Sequence, residues 1–175
     1  AIEGVISQIR KVFLDIYQKE SEEDCKNSFL QLREFFNQLM DVEKHYVRKE
    51  NLLFPFLEKL GITGPPAVMW GKHDEIRAFL KSSLQLFQSD EKISASVLAD
   101  FILMMFEPTI NAITEMIYKE DNILFPMSLD ALTDNDWYEI HQQSALIGFT
   151  LIVPKTNWKP ENVQESKADE MMNGR

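Results

Sequence analysis

Two stretches decide what this chain can fold into, Asp24 to Leu60 and Ser94 to Leu129. In both, apolar residues return at helical spacing, and strand-like alternation is scarce throughout the sequence. Glycine is scarce as well, at 6 of 175 residues. The pattern predicts five helices. The first runs from Ile2 to Lys19 with Val5, Ile9, Val12, Phe13 and Ile16 on one face, and the acidic turn at Ser21 to Asp24 ends it and caps the next. The second runs from Asp24 to Leu60 and stops at Gly61, where GITGPP forms the clearest loop. The third opens with proline in its first turn, where the missing N–H costs nothing, and reaches Phe87. QSDEKIS connects it to the fourth, Ser94 to Leu129, which is interrupted or kinked at Pro108. Thr133 is the expected N-cap of a shorter fifth helix ending at Gly148. From Pro154 the sequence is polar and aperiodic. The expectation is an all-α, up-down four-helix bundle over residues 1–150, with a short fifth helix and an extended tail or linker over 151–175.

Charge sets further bounds. There are 28 acidic against 18 basic residues, a net charge of −10. Such a chain is a poor binder of nucleic acid, which is held by Lys and Arg on phosphates, and an acidic membrane surface repels it. Cys25 is the only cysteine, so no internal disulfide or Cys-based zinc site is expected, and a reducing cytoplasm is the expected compartment. No apolar run reads as a membrane span, and no signal peptide is recognised. The sequence opens on Ala1 without a start methionine and reads as a piece of something longer.

Placing each polar residue on its helix at 100° per residue exposes the unusual feature. With His45 at 0°, Phe35, Leu39, Val42, Tyr46, Leu53 and Leu57 fall between roughly 60° and 120°. His45 and Glu50 flank that apolar arc, and Lys49, near 40°, lies on it as well. On the third helix His73 shares a stripe with Trp70, Ile76, Leu80 and Leu84, and Arg77 follows four residues on. On the fourth, Glu120 is surrounded by Ile113, Met116, Ile117, Ile123, Leu124 and Met127, with Glu115 less central. A buried, unpaired carboxylate costs several kcal/mol, so groups turned inward from three helices are expected to share partners. One economical partner is a divalent metal, and helical bundles build such sites from facing helices. Mixed histidine and carboxylate ligands suggest iron or manganese, with zinc as an alternative, and a two-metal carboxylate site suits iron. The other solution is a buried ion-pair network of the two glutamates with Arg77 and Lys49, which would exclude metal.

A repeated phrase bears on the geometry. HYVRKENLLFPFLE, from His45, is echoed by EMIYKEDNILFPMS, from Glu115. Each has an acid or histidine, a glutamate five positions later, and an apolar run into Phe-Pro. Five residues swing about 140° on a regular helix, which splays the two side chains. Pro55 and Pro126 each remove a backbone bond to the residue four before, freeing the carbonyls of Asn51 and Asn122. The helices are expected to widen or bend there and turn the polar side chains toward one site.

HYVRKENLLFPFLEK, GPPAVMWGKHDEIR, EMIYKEDNILFPM and DWYEIHQQSALIGF together resemble the hemerythrin-like (HHE cation-binding) family, in particular the bacterial and archaeal branch found beside PAS sensory domains. The resemblance implies a four-helix bundle around a di-iron centre, with His45, Glu50, His73, Glu115 and Glu120 as the metal ligands. It is partial. The glutamate the family places four residues after His45 is Lys49, and Arg77 stands where a second third-helix histidine belongs. Met116 or Glu115 takes the fourth-helix histidine's place, and Glu120 or Asp121 the acid's. No histidine precedes His45, and Glu3 is the only nearby acid that could substitute. With three histidines, His141 among them, one chain cannot build a five-histidine oxygen carrier. The resemblance favours a metal-binding module that senses oxygen, nitric oxide or redox state, with a protein partner or an adjacent sensory domain. A di-iron oxidase or peroxidase is the second reading, and a metal-free interaction bundle with a buried Glu–Arg network the third.

Overall fold

A computed structural model describes residues 1–88, 92–155 and 158–161. Those residues form helices and connections, and no strand is found among them beyond one isolated bridge. The first arm is α1 (Ile2–Tyr17). The second is α2 (Lys26–Leu39), α3 (Val42–Arg48) and α4 (Phe54–Lys59). The third is α5 (Gly64–Leu86). The fourth is α6 (Ala95–Phe101), α7 (Glu107–Lys119) and α8 (Phe125–Ala131), and α9 (Asp134–Ile147) completes the set. α1 packs on α2 and α6, α2 on α5, and α5 on α7, which closes an up-down ring of four arms. α9 lies against α3. This is the expected all-α bundle with its fifth helix.

The second arm departs from the uninterrupted helix expected. At Met40 and Asp41 the backbone tightens into three-residue bonds, Asp41 N–H to the Gln38 carbonyl and Lys44 N–H to that of Asp41. The Asp41 carboxylate turns out to accept the Leu151 N–H at 2.5 Å. Thr133 caps α9 as expected, in a full capping box with Asp136, and Gly148 ends it at φ 95°, where a side chain would be strained. The tail carries no helix in its described part, and residues 156–157 and 162–175 lie outside the described residues, as do 89–91 of the third connection.

The run Ala95–Ala131 differs from expectation in another respect. By length and mean hydropathy, 1.4 in its most apolar window, it could cross a bilayer. Here it is the fourth arm of the bundle and carries the buried Glu120.

The core divides in two along the bundle. At one end the rings of Phe29, Phe36, Phe87 and Phe106 pack together, with centroids 4.7–5.5 Å apart. Each ring contributes about 1.5–3 kcal/mol on leaving water. The loops there are clamped by the antiparallel bridge of Asp24 with Ser94, through Cys25 N–H to the Ile93 carbonyl and Ala95 N–H to that of Glu23. Toward the other end the interior turns polar.

Three turns widen to π geometry: Lys49–Leu53, Ile102–Phe106 and Glu120–Leu124. Each closes on a bond from the residue just before a proline, Phe54 to Lys49, Glu107 to Ile102 and Phe125 to Glu120. The cause is local. A proline inside a helix lacks a donor and its ring strikes the carbonyl four residues back, and widening the preceding turn relieves that contact. Pro55 and Pro126 thus act as expected, and Pro108 produces the interruption predicted there.

Candidate metal centre

The widened turns set the site. Counted back from their prolines, Lys49 and Glu120 are equivalent: each opens its π turn, six residues before Pro55 or Pro126. Both point inward and meet. The Lys49 ammonium donates to Glu120 Oε1, with both side chains 3–4% exposed. The sequence reading, matching the glutamate five positions into each phrase, made Glu50 the counterpart of Glu120 instead. The second phrase holds one more residue before its proline, so Glu50 corresponds to Asp121, which faces solvent.

From this pair a chain of hydrogen bonds crosses the bundle. Lys49 Nζ also donates to His73 Nε2 at 2.9 Å. His73 Nδ1 donates to Glu50 Oε1 at 2.6 Å. Arg77 grips both Glu50 oxygens at 2.9 Å and both Glu43 oxygens at 2.8 and 3.1 Å, and adds Asp74 at 2.9 Å. On the other side His45 Nε2 donates to Glu120 Oε2 at 2.7 Å. The His73 ring lies parallel to Tyr46, centroids 4.1 Å apart, and faces Phe54 at 6.0 Å, and the Lys49 ammonium sits 4.7 Å over the Tyr46 ring.

These contacts fix charge states. Burial pushes the His73 pKa down to about 2, helped by Lys49 and Arg77. The ring is therefore neutral, with its proton on Nδ1 and its Nε2 lone pair turned to Lys49. Burial lowers the Lys49 pKa, and Glu120 pulls against that shift. For Glu120 burial alone would raise the pKa, but the His45 hydrogen bond and Lys49 outweigh it and hold the carboxyl below its ordinary range. Burial would lower Arg77, yet its bonds to Glu50, Glu43 and Asp74 keep it firmly protonated. Tyr46 is raised by burial and by Glu120.

Of the five side chains proposed as ligands, the structure brings His45, Glu50, His73 and Glu120 into one connected chain, and sets Glu115 on the exposed face of α7. In the histidine's place on that helix the buried residue is Met116. His141 lies on α9, outside the chain. Trp70 and Ile123, expected beside His73 and Glu120, are 39% and 52% exposed. Glu43 was missed by the sequence reading, although by the same projection it falls near 160°, next to Glu50. Also missed was a buried hydroxyl pair, Ser83 with Thr109 at 3.0 Å.

A cavity of about 290 Å³ opens onto His45 and Glu120, lined also by Val42, Tyr46, Ile117 and Phe125. Two buried hydroxyls on its wall, Tyr46 Oη and Thr150 Oγ1, have no hydrogen-bond partner among the described residues. Arg48 ties this region to the end of α9: it donates to the Gly148 carbonyl and lies over the Phe149 ring at 5.3 Å.

Bundle and interior together define a helical protein with a ligand-type set of histidines and carboxylates inside it. Residues 7–128 match the family model described as Hemerythrin HHE cation binding domain, and with most of its length covered the chain belongs to that family. No curated protein matches the chain. The donor set does not fit the two-metal centre the family suggests. Glu120 and His73 are both engaged by the Lys49 ammonium, and Glu50 is held on both oxygens by Arg77. Among the described residues no group of three or more His, Cys, Asp or Glu side chains could hold a metal ion.

Proposed function

We propose that this chain is a metal-independent hemerythrin-fold module, a regulatory or interaction bundle whose interior charges are balanced by the protein's own cations. One observation carries the reading: the Lys49 ammonium lies between Glu120 and His73, where a shared ion would have to bind. Two buried carboxylates, Glu120 and Glu50, meet two protein cations, Lys49 and Arg77, so the interior is neutral without an added ion. The link through Arg48 to Gly148, and from Asp41 to Leu151, supports a regulatory role, because it joins the polar interior's helix to the segment leaving the bundle. The partner in this reading is another protein or an adjoining domain.

The cavity beside His45 favours a second reading, an iron-dependent sensor of oxygen or nitric oxide. In that case Lys49 must leave its place when iron enters. Metal analysis separates the two. Protein purified without oxygen and reconstituted with ferrous iron is expected to hold well under one equivalent after desalting, with no near-ultraviolet charge-transfer band on exposure to air. Two equivalents of retained iron would overturn the metal-independent reading.

A further inference from the structure

We infer that the cavity between α9 and the segment that follows it is a binding site for a planar aromatic carboxylic acid. The site lies beyond residues 7–128, the part matched to the family, and it stands whether or not the polar interior holds a metal.

The cavity measures about 510 Å³, within the range that encloses a small organic ligand. Tyr138, His141 and Gln142 come to it from one face of α9, and Phe149, Trp158 and Lys159 from the segment after the helix. Tyr138 and Trp158 meet edge to face at 66°, with centroids 6.4 Å apart, so they form a corner and not a closed stack. Rings set at such an angle receive a flat apolar body, one against its face and the other against its edge. Phe149 supplies a third ring, held in place by the Arg48 guanidinium 5.3 Å over it. Trp158 is still 45% exposed, so much of its indole is open to a ligand. Arg48 also holds the Gly148 carbonyl, and the site therefore borders the joint between α3 and the end of α9.

The polar groups decide the charge of the occupant. The chain has 28 acidic residues in 175, yet no Asp or Glu stands on this wall. The wall carries instead an ammonium at Lys159, a carboxamide at Gln142 and an imidazole at His141. A carboxylate fits this set, because it accepts from the ammonium and the carboxamide together. An amine does not fit, since Lys159 repels it and no carboxylate answers it.

The test is calorimetric titration of the whole chain at neutral pH with indole-3-acetate, indole-3-acetamide and tryptamine, which share one ring system and differ in charge. Indole-3-acetate is expected to bind one equivalent, at least about fivefold more tightly than the amide, with tryptamine weaker than either. Lys159→Gln should weaken the acid by about threefold or more and leave the amide unchanged. Trp158→Ala should weaken both by about tenfold. Trp158 lies outside the core, so its variant is expected to unfold at the wild-type temperature. No binding of the acid, equal affinity for acid and amide, or binding untouched by Trp158→Ala would overturn the inference. The iron measurement above bears on the polar interior alone, so the two readings fail separately.

Discussion

Lys49→Met and Glu120→Leu, made singly and together, measure what the central pair is worth. Both side chains are almost wholly withdrawn from water, 3% and 4% exposed. Lys49→Met leaves the Glu120 carboxylate with His45 alone, and Glu120→Leu leaves the ammonium with the His73 lone pair and the face of the Tyr46 ring. A charge stranded this way in a dry core costs about 3–5 kcal/mol, a drop of roughly 6–20 °C in Tm for a chain of this size. The double variant removes both charges and fills the space with apolar groups, which is near neutral for the pair itself. The remaining cost is the unpartnered His73 Nε2, about 1–3 kcal/mol, since His45, which also loses Glu120, is 28% exposed and can turn to water. Urea unfolding at pH 7, followed by circular dichroism, should therefore find the double variant more stable than either single one, with a coupling of at least about 3 kcal/mol. Raising the salt should change little, since a buried pair is poorly screened. Single variants that each lose less than about 1 kcal/mol, or a double variant whose loss equals their total, would refute the reasoning.

Acid should destabilise the bundle earlier than carboxylates alone would. The folded His73 titrates at about 2 and an unfolded histidine near ~6.5, so between these values the unfolded chain holds the extra proton. The stability tied to neutral His73 is present above pH ~6.5 and lost as pH falls, by up to about 1.4 kcal/mol per pH unit. Glu120, lowered as well, adds a further loss in the more acid range. His73→Gln should flatten the slope of urea midpoint against pH between 6.5 and 4.5; an unchanged slope would place the sensitivity elsewhere. Tyr46→Phe removes a buried hydroxyl that has no hydrogen-bond partner among the described residues, so it should leave stability within about 0.5 kcal/mol or raise it. A loss above about 1.5 kcal/mol would reveal a bound partner for that hydroxyl in the cavity.

Much of this was legible because helices announce themselves by period and end signals. Gly61, Gly148 and the Thr133 capping box fell where expected. The inward placement of His45, Glu50, His73 and Glu120 followed from projection on an apolar arc, which depends on helix geometry and on nothing distant in the chain. What projection does not fix is pairing between arms. Lys49 reads equally as a snorkelling surface residue and as a core cation until the fourth arm sets Glu120 opposite it. The equivalence of Lys49 with Glu120 stayed hidden because the phrases align by eye on their glutamates, whereas the backbone counts from its prolines. The tightened turn at Met40 and Asp41 left no mark either, and the Asp41 bond to Leu151 joins residues far apart in the chain.

The π turns also leave a trace in how such a helix can change. Each takes up one surplus residue within its wide turn, so the two halves of an arm stay in phase across it. A residue inserted into the regular helix on either side has no such turn to absorb it and would rotate everything beyond it by about 100°. In the fourth arm the wide turn is what lets Ile113, Met116, Glu120, Leu124 and Ser128 all face the interior. The widened turns are therefore where an arm can carry an extra residue while its two halves keep their mutual orientation.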